Sequence, residues 1–510
     1  MPGEAGGVRH AGLAVDVEEG GQDPYGIRAD GACAGGQAMD TGVQEAKGVN
    51  QEGHGAVSCT GARARRKPAG RKPNPSAQPG TIAAALKGFI SGHFPELVGW
   101  LKGLPDARVQ VMCVYSGAHI WMQIIYLFLT RAGSRNAFDP MRNTGLLPKG
   151  FAALCEQFAD DERFEGAPRV TSGDNAARHA SRTDAAKVAL IPAMMIRKLL
   201  ASRTLEAGRL FGQWYVIVVD GTVQEKCRTG FEDGLSRGDA RYRYVIQACI
   251  LCNGIRLPFL HEAVDVHDAL RDKQDCELKA FSRLAVNIKA SFPKLPIIIV
   301  GDALYGCATV ADICGQNQWK YLLCLKEGRQ PLLWEEVLDL LPITRASHLR
   351  IHAGTGDMAP LHDFRWVQDL PFGKSTAAVI LEGDITKDSA TLYAWITNMH
   401  RLTDERIPEL CAVTGRERHC IEDHFNTQKN NGPGLGHVFC ANQTASKNYY
   451  SMMQCAQIIW ELFYHGHLAR LYGWARQTTQ KALAMMIADG MRSFDLPADC
   501  PPIRQLRFVT

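Results

Sequence analysis

Two aspartates and one glutamate carry the most distinctive chemistry in this sequence. Asp220 follows the apolar run WYVIVV at 214–219. Asp302 follows IIIV and one glycine, 82 residues further on. Both runs are short, continuous and rich in β-branched residues, as expected of strands buried on both faces. Side by side in one sheet, two such carboxylates would repel each other unless a cation sat with them. The third carboxylate, Glu422, belongs to the segment GRERHCIEDHFNTQKNNG at 415–432. At about 100° per residue, Arg418, Glu422 and Lys429 fall within about 40° of one helix face. Ile421 and Phe425 lie to one side and can seat that helix on a sheet. The pattern suits phosphoryl transfer with two metal ions: acids for the cations, Arg418 and Lys429 for phosphate oxygens. Each element also has an ordinary reading. Asp-Gly after a strand is common turn chemistry, and an Arg–Glu pair four apart is a common surface ion pair.

The elements that must position these residues follow from periodicity. After Trp214 come the strands Tyr242–Leu251 and Ile255–Glu262, joined by Asn253-Gly254, a strong hairpin signal. A helix at Lys273–Ser291, the strand Ile297–Val300, a helix near Thr309–Cys314 and the strand Trp319–Leu325 follow. This order predicts an α/β fold: a ribonuclease-H-like mixed sheet with helices on its faces, over residues 210–329 and again over 401–465. Residues 330–400 form a β-rich insertion with strands His362–Gln368, Ala377–Glu382 and Thr391–Asn398. The third acid belongs to a helix expected over Ile407–Lys429. Residues 80–205 read as an N-terminal helical domain with segments Ile82–Leu104, Val109–Ala132 and Ala185–Ala201, the last ending near the basic Arg197, Lys198 and Arg203. It suits either DNA ends or scaffold. The C-terminal part, Tyr449–His465 and Ala475–Asp489, is helical, with 466–510 as a terminal segment.

The sequence resembles bacterial insertion-sequence transposases of the DDE type, which carry a β-rich insertion before the third acid. The shared pattern is Arg418, three residues, Glu422, six residues, Lys429. VVDGT (218–222), DKQDCELKAFSRL (272–284), GDALY (301–305) and Gly133-Ser134-Arg135-Asn136 are also similar. The resemblance spans about 80–465. It departs at Gly415, where the family has Tyr. It implies cleavage and strand transfer at transposon ends, with two Mg²⁺ or Mn²⁺ ions on Asp220, Asp302 and Glu422. Arg418 and Lys429 would contact phosphate. It also implies double-stranded DNA bearing terminal inverted repeats as partner, a dimer in the DNA complex, and a bacterial cytoplasm beside the nucleoid. An aromatic residue of the insertion, Trp366 or Trp395, would stack on a flipped base unless it packs in the core. A repurposed protein that holds DNA without cutting, or another ribonuclease-H-like nuclease, are the alternatives.

Composition sets bounds on this. The chain of 510 residues is 46% hydrophobic with a net charge of +4. Residues 1–54 hold three basic and nine acidic side chains, so the remainder carries +10, which suits a phosphate-facing surface. Residues 1–75 read as a disordered tail ending in the basic Arg63, Arg65, Arg66, Lys67, Arg71 and Lys72. The 16 Cys are mostly scattered singly, as reduced thiols are, and Cys249 with Cys252 reads as core packing. Val109–Thr130 is the most apolar stretch, but polar residues interrupt it, so no membrane span is expected. His261 and His267 beside Glu262 and Asp265 mimic a metal cluster without further ligands at zinc spacing. Asp275 and Glu277 read as acids near a helix N-terminus, and Gly432, Gly434 and Gly436 as a cap and turn.

Overall fold

The computed structural model describes residues 78–154, 169–228, 234–237, 240–264, 273–343, 347–352, 360–386, 389–468, 479–497, 500–504 and 506. The tail at 1–75, its basic end, Asp265 and His267 lie outside these residues. The N-terminal helices are α1 (Pro79–His93), α2 (Leu97–Lys102), α3 (Gly117–Leu129), α4 (Arg135–Phe138), α5 (Leu147–Leu154), α6 (Gly173–Ala180), α7 (Ala185–Val188) and α8 (Ile191–Ala201). The expected helix Ile82–Leu104 is therefore two helices. That over Val109–Ala132 starts only at Gly117, where Ser116 caps it by accepting from the His119 N–H at 3.2 Å. The residues before that cap leave Val111 and Met112 in solvent. Pro192 opens α8 rather than kinking one long helix, since its missing N–H has no helical partner to lose there.

The strands are β1 (Tyr215–Cys227), β2 (Leu235–Arg237), β3 (Ala240–Cys252), β4 (Ile255–Ala263), β5 (Ile297–Gly301), β6 (Lys320–Cys324), β7 (His348–His352), β8 (Leu361–Phe372), β9 (Ser375–Ile385) and β10 (Ala390–Thr397). They join one ten-stranded mixed sheet in the order β2-β3-β1-β5-β6-β10-β9-β8-β7, with β4 also paired to β3. The β3–β4 hairpin turns at Asn253 and Gly254, both with positive φ (49° and 76°), as a two-residue hairpin requires. α9 (Lys273–Ser291) and α10 (Ala308–Gln316) connect the parallel strands β5 and β6 to what precedes them. Instead of interrupting the sheet, the insertion strands extend it: β10 pairs antiparallel with β6, Trp395 opposite Cys324. That pairing supplies hydrogen bonds the edge of β6 would otherwise lack.

After α11 (Pro331–Leu340) and the insertion come α12 (Arg406–Leu410), α13 (Cys420–Asn430), α14 (Gln443–Glu461) and α15 (Gln480–Ser493). α14 is buried almost throughout and binds the helical region to the sheet. Its Asn448 donates to the carbonyls of Ala180 and Thr183 at 2.7 and 2.9 Å, and its Tyr450 hydroxyl donates to Gln247 of β3 at 3.0 Å. α1 packs along α15, where Gly490 admits the α1 start; an added Cβ would lie 2.2 Å from the Pro79 carbonyl oxygen. Among the described residues no helix is long and apolar enough to cross a membrane.

Candidate active site

β1 and β5 run parallel with Val218 opposite Val300 as their last pair; Asp220 and Asp302 each follow two residues on, near enough for the charge of Asp302 to act on Asp220. Asp302 stands just past β5, as its sequence context predicts. Asp220 does not end its strand. β1 continues to Cys227 against β3, and only its parallel partner stops. The glycine after Asp220 is therefore not turn chemistry. A Cβ at Gly221 would sit 2.7 Å from the Tyr244 hydroxyl oxygen, so glycine makes room for that ring. Asp220 Oδ1 accepts from the Gly221 N–H at 2.8 Å, and Asp302 Oδ1 from the Leu304 N–H at 2.9 Å. Burial, then the charge of Asp302, push the Asp220 carboxyl up to about 7. The Gly221 N–H and Arg418 act the other way, and Glu422 raises it slightly further.

The expected helix over 407–429 is not one regular helix. A π turn, Cys411–Gly415, and a 3-10 turn, Arg416–His419, separate α12 from α13. Ideal helical periodicity therefore fails at Arg418, yet its guanidinium still donates to Glu422 Oε1 at 2.8 Å. Arg418 also hydrogen-bonds Cys324 at the end of β6. Partial burial of Lys429, about two turns beyond Glu422, lowers its pKa, while Asp220 lies close enough to act the other way. Ile421, His424, Phe425 and Gln428 form the buried side of α13, and Gln428 donates to Gln454 of α14 at 2.9 Å. Arg418, Glu422 and Lys429 thus stand on the side facing Asp220, fixed by an apolar and amide contact behind them.

Trp366 and Trp395 are core residues, 4% and 2% exposed, and neither offers a ring face to a base. The stacking role is corrected accordingly. Trp395 instead packs against the backbone at Gly415, where an added Cβ would lie 2.6 Å from its indole ring. Tyr393 stacks beside it at 5.8 Å, and the Arg416 guanidinium lies over Tyr393 at 5.1 Å. Gly415 is thus where the insertion sheet meets the chain before the third acid, and the indole fills the space that a tyrosine there would need. Gly415→Tyr should destabilise by about 1–3 kcal/mol or more through overpacking, read as a lower urea midpoint.

Two tyrosines and a glutamate, none of them a site residue by sequence, neighbour the acid pair. Burial raises the pKa of both Tyr244 and Tyr305, and the charges of Glu277, Asp220 and Asp302 add to it. The nearby signals are the glycines beside both acids and Tyr305 within GDALY. Glu277, near the start of α9, is 4% exposed. The basic residues in and just after α8 have partners within the chain: Arg197 donates to the Ser291 carbonyl at 2.7 and 2.9 Å, Lys198 pairs with Glu96, and Arg203 pairs with Glu206. His261 is half-buried beside the Tyr450 ring and Glu262 pairs with Arg283 at 2.8 Å. The N–H groups of Gly434 and Leu435 both donate to the Gln428 carbonyl, closing α13 as a cap does.

The acid pair has the donor chemistry for a hard divalent cation, since Mg²⁺ takes carboxylate oxygens and usually only one or two protein carboxylates. A cation beside Asp302 would favour the ionised Asp220 carboxylate that burial and the Asp302 charge disfavour. Glu422 is not gathered with them. Among the described residues no group of three or more His, Cys, Asp or Glu is close enough together to hold a metal ion. Its carboxylate rests on Arg418 with its side chain 51% exposed.

No protein-family model matches this chain, and no curated protein matches it. Among solved structures it is similar to that of the piggyBac transposase synaptic complex with hairpin DNA, with a TM-score of 0.39 and 10% identity over 83% of each chain.

Proposed function

We propose that this chain is a DDE transposase with a ribonuclease-H-like core, which cuts and joins DNA at the ends of an insertion sequence. The observation that carries this reading is the nearness of Asp220, in β1, to Asp302, just past the parallel β5, with the Arg418–Glu422 pair close enough for both charges to act on Asp220. Asp220 and Asp302, joined by Glu422, would hold two Mg²⁺ or Mn²⁺ ions. Bound there, such ions supply activation of a water or 3′ hydroxyl and charge relief at the leaving oxygen. The chain's own part is electrostatic and positional. Arg418 fixes Glu422 while presenting guanidinium to a phosphate, and Lys429 adds a second cation one to two turns along the same helix. The partners in this reading are double-stranded terminal inverted repeats, bound by a dimer beside a bacterial nucleoid, with residues 80–205 toward the DNA ends.

DNA bearing the inverted repeats that flank the gene tests this directly. Strand cleavage is expected in Mg²⁺ or Mn²⁺ and none in a chelator. Cleavage of RNA–DNA hybrids in preference to such ends would favour another nuclease of this fold. Binding should weaken steeply with salt, by about 10³-fold or more between 50 and 200 mM if six or more phosphates are contacted. A second reading, DNA held without cleavage, draws on Glu422 resting on Arg418 and on the indole beside Gly415. Specific retention of the ends without nicking under either metal would select it.

A further inference from the structure

Side chains alternate along a strand, so Gly221 faces away from the Asp220 side of β1. The space where its Cβ would stand is filled by the Tyr244 ring, and the matching space at Gly301 by Tyr305, 2.9 Å away. Two glycines directly adjoining the two acids are thus each backed by an aromatic ring. Glu277, on α9, is buried behind them and hydrogen-bonded to Tyr244. The Tyr305 hydroxyl is fully buried with no hydrogen-bond partner. A buried carboxylate is costly unless paired or hydrogen-bonded, and the Tyr244 hydroxyl is one of the groups that bond this one.

We propose that Glu277 is a positioning residue of the metal site: through Tyr244 it presses on Gly221, and with Tyr305 behind Gly301 it fixes the two backbone segments that carry Asp220 and Asp302. The inference rests on the reading of those acids as cation ligands. Glu277 supplies no ligand itself. It works like the outer partners of metal ligands, which hold ligand orientation and typically change affinity by about 10–100-fold when removed. Glutamine at this position keeps a carbonyl oxygen to accept from Tyr244, whereas alanine does not.

Mn²⁺ binding to the full chain without DNA, followed by electron paramagnetic resonance of the free ion, gives a readout independent of cleavage. Glu277→Ala and Tyr244→Phe should each weaken Mn²⁺ binding roughly tenfold or more. The double variant should be little worse than either, because the two act through one hydrogen bond. Glu277→Gln should recover most of the loss. If Asp302→Asn abolishes binding while Glu277→Ala and Tyr244→Phe titrate like the parent, the positioning role is overturned and the metal site stands. Equal binding by the parent and by Asp220→Asn and Asp302→Asn overturns both. Should Glu277→Ala not fold, Tyr244→Phe decides alone: parent-like binding rejects the role, and a tenfold loss supports it.

Discussion

Asp302→Asn should reduce metal-dependent strand cleavage by about a thousandfold or more, roughly 4 kcal/mol of transition-state stabilisation, while leaving retention of the DNA ends within a few-fold. Asp220→Asn should do the same to cleavage, but it should also stabilise the metal-free protein. Burial and the neighbouring Asp302 raise Asp220 to about 7, against 3.8 as its ordinary value. A raised carboxyl pKa means that the folded state keeps a proton the unfolded state has released. Stability is thus fully present below about pH 4 and falls as pH rises toward 7. Asparagine carries no charge to bury, so the variant should match the parent at low pH and exceed it above neutrality. The gain should be on the order of 2 kcal/mol, less than the full shift implies because the carboxyl keeps some contact with water. Thermal melts at pH 4.5 and pH 8 check this beside single-turnover cleavage assays. A variant that cleaves like the parent would falsify the assignment of Asp220 as a metal ligand. Loss of cleavage together with a gain in stability is the signature of a residue held for chemistry at the expense of the fold.

Glu422 belongs to the same experiment with a different profile. Its side chain is half exposed and paired to Arg418, so Glu422→Gln should lower cleavage with little change in melting temperature. Arg418→Lys should weaken both the hold on Glu422 and the contact to phosphate, since lysine lacks the forked donors of guanidinium.

What the sequence discloses, and what it withholds, divides along a physical line. Ile297–Val300 reads as a buried strand because every one of its residues is apolar and β-branched, a property of the segment itself. Asn253-Gly254 reads as a turn because positive φ favours those residue types. Arg418 and Glu422 are four apart and meet even though a 3-10 turn replaces ideal helix at Arg418. All three depend on neighbours in sequence. Gly221 misleads because Tyr244, the residue that demands a glycine there, lies on another strand. Gly415 looks like a missing tyrosine because Trp395, which takes the space, comes from the insertion sheet. Trp366 and Trp395 carry no local mark of burial beyond strand periodicity, and the sheet that buries them closes only when β10 pairs with β6. Glu277 reads as a helix-end acid, and its bond to Tyr244 depends on the placing of β3.

An ion pair across the neighbouring strands β1 and β3 holds the far half of β1. Beyond Asp220, β1 leaves its parallel partner and needs another support. Glu225 provides it: its carboxylate accepts from Arg243 of β3 at 2.7 Å, from the Ser446 hydroxyl at 2.6 Å and from the Phe439 N–H at 3.3 Å. Arg243 in turn donates to the carbonyls of Cys440 and Ala441. Both partners are buried, at 2% and 7% exposure. Next to them, Gly436 donates to the Gln224 carbonyl and accepts from the Lys226 N–H, so the segment leaving α13 is stitched to β1. This frame holds the end of the third-acid helix, with Lys429, against the strand that carries Asp220. Arg243→Met removes one charge and strands the other, along with two backbone carbonyls, in a dry site. The expected loss is about 3–5 kcal/mol, read from urea unfolding. Pairing it with Glu225→Leu should recover much of that stability, because the unpaired buried charge is then gone as well. The recovered double variant should still cleave poorly, since an apolar pair leaves the 439–441 backbone without its Glu225 and Arg243 partners. Recovery of stability with cleavage restored in full would show that the frame serves folding alone.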